Sequence, residues 1–270
     1  MNYINEIKKR RSVRTFDNNK NITNDTLNEI KEFINKLSNP FNIKIEWFIL
    51  NKEEYKLSSP VIANEKYYIA GKLKKVENGE LAFGYEYETL ALYLESIGLG
   101  TTCMAGTLPR PKFESAINLS DDEMMPCVTP IGYPSEKMSL KEKIMRKGLK
   151  ADSRLDFDSL FYSKDFNKLD DLELNKYKDI LELVRIAPSA VNKQPWRLII
   201  DNNKIYFYKY SKKELMTKDG IDIKNVDIGI ALNHFIEGLS SKNMKYELEF
   251  SNPNINKEDF EYIVTLIINE

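Results

Sequence analysis

The sequence predicts an α+β protein made of two pseudo-repeats that pack against each other as an internal dimer. Three observations point there. Segments of helical and of strand periodicity alternate along the chain, and their order recurs in the two halves. Leu37–Leu50 aligns without gaps on Ala187–Ile200, which sets Asn42 against Asn192. A helix from Gly84 aligns with one from Gly229, and the strand before Gly132 with one ending near Ile268. A duplicated α/β unit commonly packs its copies around a pseudo-two-fold. The halves are expected at 1–165 and 166–270, folded together as one unit. The competing explanation is that two α/β segments share helix–strand order by chance.

Each element follows from its local pattern. Residues 2–9 form a short helix leading into a basic run. Leu27, Ile30, Phe33, Ile34 and Leu37 recur at helical spacing over 25–37, with Thr23 or Asn24 as N-cap and Asn39-Pro40 as the stop. Residues 43–50 alternate and then turn fully apolar, as a buried strand does. Residues 81–97 make a long apolar helix that ends at Gly98-Leu99-Gly100. Residues 125–133 read as a core strand. The polar stretch 135–165 reads as an excursion over the surface. Residues 173–186 are again helical. Strands follow at 196–200 and 204–210, then an apolar helix at 226–241 and strands at 245–250 and 262–269.

Composition narrows the function. With 40 basic and 41 acidic residues among 270, the net charge of -1 gives no field to draw in nucleic acid or an anionic membrane. No signal peptide or membrane span is legible, so a cytoplasmic protein is expected. Cys103 and Cys127, the two cysteines, read as packed thiols. His234, the one histidine, lies in an apolar helix and reads as a satisfied core side chain; no metal site is expected.

Three segments carry chemistry. Arg10-Arg11-Ser12-Val13-Arg14 gathers three guanidinium groups and a hydroxyl, donors that match phosphate oxygens. On extended backbone Arg10, Ser12 and Arg14 fall on one side. By itself such a run is more often a solvated basic patch after a surface helix. Pro188-Ser189-Ala190-Val191-Asn192 is a loop between a helix and a buried strand. Its small residues admit a planar ligand, and Asn192 offers both a donor and an acceptor; an ordinary helix–strand turn would look the same. Gly98–Gly106 follows a helix without being a dinucleotide fingerprint. Tyr85 and Tyr87, beside Glu86 and Glu88, either line a ligand or mark a helix start.

Together, and in this order, these segments resemble the FMN-dependent nitroreductase family over most of the chain. The resemblance implies a three-layer α/β/α sandwich. Ordinary members are homodimers in which each flavin takes the Arg-Arg-Ser motif from one subunit and the Pro-Ser-x-x-Asn loop from the other. Here the first half keeps the Arg-rich motif, but its loop reads Ser38-Asn39-Pro40-Phe41-Asn42; the second half keeps only the loop. The chain is thus similar to fused members of the family, a monomer acting as a pseudo-dimer with one surviving site. The resemblance implies that Arg10 and Ser12, with Arg11 adjacent, hold the FMN phosphate and ribityl chain. Arg14 would lie at the N1/O2 edge, and the backbone of Ala105 and Gly106 would face N5 with Met104 nearby. Pro188, Ser189, Ala190 and Asn192 would meet the ring, and Lys150 and Arg154 would supply further phosphate-binding cations. The implied activity is hydride transfer from NAD(P)H through FMN to a small-molecule acceptor such as a nitroaromatic or a quinone, with no catalytic side chain. The alternative is a flavin-binding sensor or storage protein without turnover.

Overall fold

The computed structural model describes residues 2–164, 166–212, 216–217 and 219–269; the expected half boundary at 165 falls outside them. The chain opens with α1 (Ile4–Lys9) and α2 (Asn24–Ile34), the latter capped by the Thr23 side chain. Strands β1 (Glu46–Asn51) and β2 (Tyr67–Lys74) pair antiparallel, with Trp47 opposite Gly71. Helix α3 (Gly79–Ser96), the short α4 (Arg110–Ala116), β3 (Glu123–Met124) and β4 (Val128–Ile131) complete the first half. Both β3 and β4 pair with β2, which is therefore the central strand of a four-stranded sheet.

The stretch 135–164 is more ordered than its polarity implied. It holds α5 (Leu140–Gly148), whose Ser139 side chain accepts from the Glu142 N–H, and β5 (Phe161–Ser163), which runs parallel to the next strand. Then come α6 (Asp171–Arg185), β6 (Trp196–Asp201), β7 (Lys204–Tyr210), α7 (Ile223–Ser241), β8 (Lys245–Glu249) and β9 (Phe260–Asn269). The second sheet has the order β5-β6-β7-β9-β8.

Helices α3 and α7 are apolar on nearly all sides, which is the pattern of a helix with no solvent face. They pack on each other, α3 also against β2 and α7 against β6 and β7. Two glycines allow this contact. A Cβ on Gly84 would stand 2.0 Å from the Val226 carbonyl oxygen, and one on Gly229 would stand 2.1 Å from that of Leu81. The expected three layers hold around the first sheet, where Tyr68 and Ala70 pack on Phe113 of α4 and the opposite face meets α3. They fail at the second sheet. There Ile199, Tyr206 and Tyr208 are packed against Phe166 and Ile255 from loops and Phe260 from the start of β9, an aromatic cover in place of a helix.

Candidate functional site

One cleft gathers most of the predicted residues. Arg10, Arg11, Ser12 and Arg14 line one wall and Pro188, Ser189, Ala190 and Asn192 the other, with Ala105 and Arg154 also on the lining. The first wall is held by backbone: Ser12 bridges Thr101, and the Val13 N–H donates to the Thr101 carbonyl at 2.9 Å, which buries Val13 and turns its neighbours into the cleft. Below it, the Glu142 carboxylate accepts from the Arg11 guanidinium at 3.0 Å and from the Thr15 hydroxyl at 2.8 Å. These bonds dock α5 against the motif.

That docking brings in a residue the sequence reading missed. Arg146 of α5 lines the cleft, whereas Lys150 does not. Lys150 is exposed at a positive φ of 48°, and its carbonyl accepts a hydrogen bond from Asn192. The helical register of α5 could have pointed to Arg146, but without the Ser139 cap its phase is not legible. Arg154 does enter the cleft. Its guanidinium donates to the carbonyls of Ala151, Ser153 and Ile186, and its Nε is buried without a partner. Burial, then the neighbouring Arg10 and Arg185, pull its pKa down. Arg14 is likewise pulled down by burial and makes no ion pair among the described residues. Five arginines thus converge on one cleft in which, among the described residues, only Asp152 and Asp227 are acidic. Desolvated cations of this kind favour an anionic ligand.

The opposite wall is strained. Val191, Asn192 and Gln194 have φ of 45°, 57° and 48°; for β-branched Val191 this is a genuine backbone outlier. Several bonds hold the turn. The Ala190 N–H donates to both oxygens of Asp227 at 2.9 and 3.1 Å, and the Ser189 hydroxyl accepts from the Gln194 N–H. The Asn192 side-chain N–H groups donate to the carbonyls of Lys150 and Ser153 at 2.7 and 3.1 Å. The amide expected to meet a ring with both donor and acceptor therefore spends its donors on the loop beneath α5. Asp227, on α7 and absent from the expected set, is 3 % exposed. Burial pushes its carboxyl well above the usual range, and the Ala190 N–H offsets only part of that.

The floor adds two side chains with buried, unpartnered oxygens, Tyr87 of α3 and Thr102. Burial, and then Cys103 and Cys127, raise the Tyr87 phenol far above its ordinary pKa, so it stays protonated. Tyr87 lies in the middle of α3 rather than at a helix start, and Tyr85 does not reach the cleft. Met104 and Gly106 are not on this lining. They line a second cavity of about 700 Å³ that shares Arg14, Cys103, Ala105 and Ala190 with the cleft, so the two open into each other. Met104 is 3 % exposed and packs with Phe113 and Met125. Cys103 is exposed and Cys127 buried, both as free thiols. Among the described residues no group of His, Cys, Asp and Glu is placed to hold a metal, and no helix is long and apolar enough to cross a membrane.

Comparison with known proteins follows from this geometry. The chain matches the family described as "Putative TM nitroreductase" over residues 2–238. A "putative nitroreductase" from Thermotoga maritima shares 22% identity and a TM-score of 0.65, with 100% of this chain and 95% of that one covered; it shows the nitroreductase-like α+β fold. A nitroreductase family protein from Clostridium novyi NT (19% identity, TM-score 0.43) covers 50% of this chain and 87% of its own. An FMN-dependent nitroreductase from Clostridium difficile R20291 (15% identity, TM-score 0.43) covers 50% and 90%. No curated protein matches the chain.

Proposed function

The chain belongs to the nitroreductase family matched over residues 2–238, and from that premise we propose that it is an FMN-dependent NAD(P)H oxidoreductase with one flavin site per chain, built between two fused halves. The observation that carries the proposal is the cleft itself: five arginines and Ser12 line it, together with a strained small-residue loop from the other half.

The residues present fit FMN. Arg10, Arg154 and Ser12 offer the donor set of a phosphate site, and the buried Nε atoms of both arginines have no hydrogen-bond partner among the described residues. The Tyr87 and Thr102 hydroxyls are unpartnered in the floor. When bound, FMN supplies the two-electron relay between a nicotinamide and an acceptor. The protein's own part is electrostatic. Arg14 brings a desolvated positive charge to the cleft, where it favours a reduced, anionic ring. Asp227 fixes Ala190, and through it the loop that limits how the ring can lie. The adjoining cavity, walled by Met104, Leu108, Pro109, Met145 and Leu149, has room for a second planar molecule beside the cleft. That second space favours turnover over storage.

The tandem arrangement is supported by reciprocity between α3 and α7. Gly84 faces Val226 while Gly229 faces Leu81, and both pairs obey the alignment of Gly84 with Gly229. Asn42 and Asn192, matched by the other alignment, both sit in the left-handed region, at φ 54° and 57°. At the mate of the proposed site, Glu86 accepts from Asn39 at 2.6 Å and from the Trp47 indole at 2.9 Å. The carboxylate occupies those polar groups in a cavity lined by Asn39, Asn42, Trp47 and Glu86, where no arginine stands among the described residues.

The test is the visible spectrum of the purified protein. A yellow sample with about one flavin per chain, bleached by NAD(P)H and restored by a quinone or nitroaromatic, is the expected result. A yellow sample inert to both reagents means binding without turnover. A colourless chain that takes up no added FMN overturns the proposal.

A further inference from the structure

Beneath Arg10 lies a buried group of charges that the proposed activity does not use. Glu88 of α3 and His234 of α7 are both fully buried, with His234 Nε2 2.9 Å from Glu88 Oε1. The other ring nitrogen, Nδ1, stands 2.8 Å from the Leu183 carbonyl. Arg10 Nε is 3.6 Å from the same Glu88 Oε1, and its side chain is 7% exposed.

The charge state follows from the hydrogen-bond inventory. A backbone carbonyl only accepts, so Nδ1 carries a proton. Burial pushes the Glu88 carboxyl up, but Arg10 and then His234 outweigh it and hold the group below the usual carboxylate range. The 2.9 Å contact between Nε2 and Glu88 Oε1 then needs one proton between the two atoms, and whichever atom holds it the Glu88–His234 pair carries no net charge. Arg10, Glu88 and His234 together carry one net positive charge. The group is also incomplete: Arg10 Nε and Glu88 Oε2 are both buried without a hydrogen bond. An excess buried cation that opens on a cleft calls for an anion there.

The molecule contains its own control. Under the alignment of Gly84 with Gly229, Glu88 corresponds to Asn233 and Thr89 to His234. Asn233 Nδ2 donates to the Thr89 hydroxyl at 2.7 Å. The same two helical positions thus meet twice, once as Glu88–His234 and once as Thr89–Asn233. The second pairing is neutral, so packing α3 on α7 does not require charge at this place. The charged version stands where Arg10 is.

We infer that Glu88 and His234 are positioning residues that aim Arg10 at a ligand phosphate and make the cleft select FMN over its dephosphorylated form, riboflavin. This rests on the flavin reading above. Glu88 takes the Nε side of the guanidinium and leaves its outer nitrogens to the cleft. The proton shared with His234 offsets the charge of Glu88, so the positive charge of Arg10 is not cancelled.

The experiment measures FMN and riboflavin affinity of the full chain, stripped of flavin, by fluorescence quenching. Expected for Glu88→Gln and for His234→Asn is a loss of roughly tenfold or more in FMN affinity, with riboflavin affinity unchanged. A lone change at a buried ion pair risks unfolding. The double variant Glu88→Asn/His234→Thr copies the neutral pair that already packs between these helices, and is expected to fold and to lose the same preference. Thr89→Ala leaves the ratio of the two affinities unchanged. If FMN and riboflavin weaken in parallel, or the ratio survives in the double variant, the inference is wrong while the flavin reading stands. If the wild-type chain binds neither flavin, both fall.

Discussion

The sharpest structural prediction concerns Gly229. In Gly229→Ala the new methyl would lie 2.1 Å from the Leu81 carbonyl oxygen and 2.9 Å from the Tyr85 nitrogen, whereas ordinary contact begins at 3.4 Å. Both obstacles are helix backbone, so no side chain can rotate away. The axes of α3 and α7 must part by more than about 1 Å, and a gap of that size forfeits a quarter to a half of each dispersion contact along the seam. Overpacking of this kind costs about 3 kcal/mol or more, and the helix-propensity gain of alanine over glycine returns about 1 kcal/mol. The net loss is about 2 kcal/mol, a fall in Tm of roughly 4–8 °C for a chain of this size. Gly148→Ala in α5 is the control, since its Cβ meets nothing within 4 Å; it should be neutral or stabilising. Thermal unfolding followed by circular dichroism reads all three proteins. If Gly229→Ala melts at or above wild type, the close approach of the two helices is not what holds the halves together.

Three further outcomes are expected. Arg14→Ala should weaken FMN retention by about 1.5–3 kcal/mol, the worth of a charged hydrogen bond, while the flavin-free protein keeps its stability, because Arg14 makes no ion pair among the described residues; flavin content after gel filtration measures the first and thermal melting the second. Asn192→Ala removes two bonds to the loop beneath α5 and should release FMN, whereas Asn42→Ala should cost only about 1–2 kcal/mol of left-handed backbone; the reverse pattern of flavin loss would exchange the roles of the two halves. Asp227 has a folded-state pKa raised by burial, so its contribution to stability is complete below its ordinary value of 3.8 and declines as pH rises toward the folded-state pKa. Asp227→Asn keeps an acceptor for Ala190 and escapes that decline, so urea unfolding should show its advantage over wild type growing from about pH 4 to about pH 7; an advantage independent of pH would mean that Asp227 is ionised in the fold.

The segments that bear on the cleft were legible where local chemistry and position coincide. Arg10, Ser12 and Arg14 could be placed together because an extended pentapeptide has only two sides. The loop at Ala187–Asn192 could be placed because a buried strand follows it. What escaped depends on long-range docking. Strand β2 carries Gly71 and Lys72 and does not look like the centre of a sheet; Lys72 is buried only because Glu123 and the Asn118 carbonyl receive it. The stretch around α5 looks solvated, since its charges are satisfied by Arg11 and Thr15, which lie 131 and 127 residues away from Glu142. Lys150 lies just past the end of α5 with its backbone in the left-handed region, so the helical phase that brings Arg146 to the cleft does not extend to it. Asp227 and Tyr87 sit in apolar helices, where one polar residue gives no sign of which neighbour it will face.

Fusion explains why these asymmetries can exist under the proposed reading. In a pair of identical subunits every substitution appears at both sites. A glutamate that occupies Asn39 and Trp47 would then stand in both sites, and so would a histidine paired with Glu88. Within one chain the two positions vary separately, so Glu86 can occupy one while Glu88 and His234 stand beneath Arg10 at the other. The seam they share keeps only what both need, a glycine on each helix and a polar pair one turn beyond it. Charge has collected on the side where Arg10 meets the cleft, and that is where an anionic ligand would offset the desolvation that a buried cation costs.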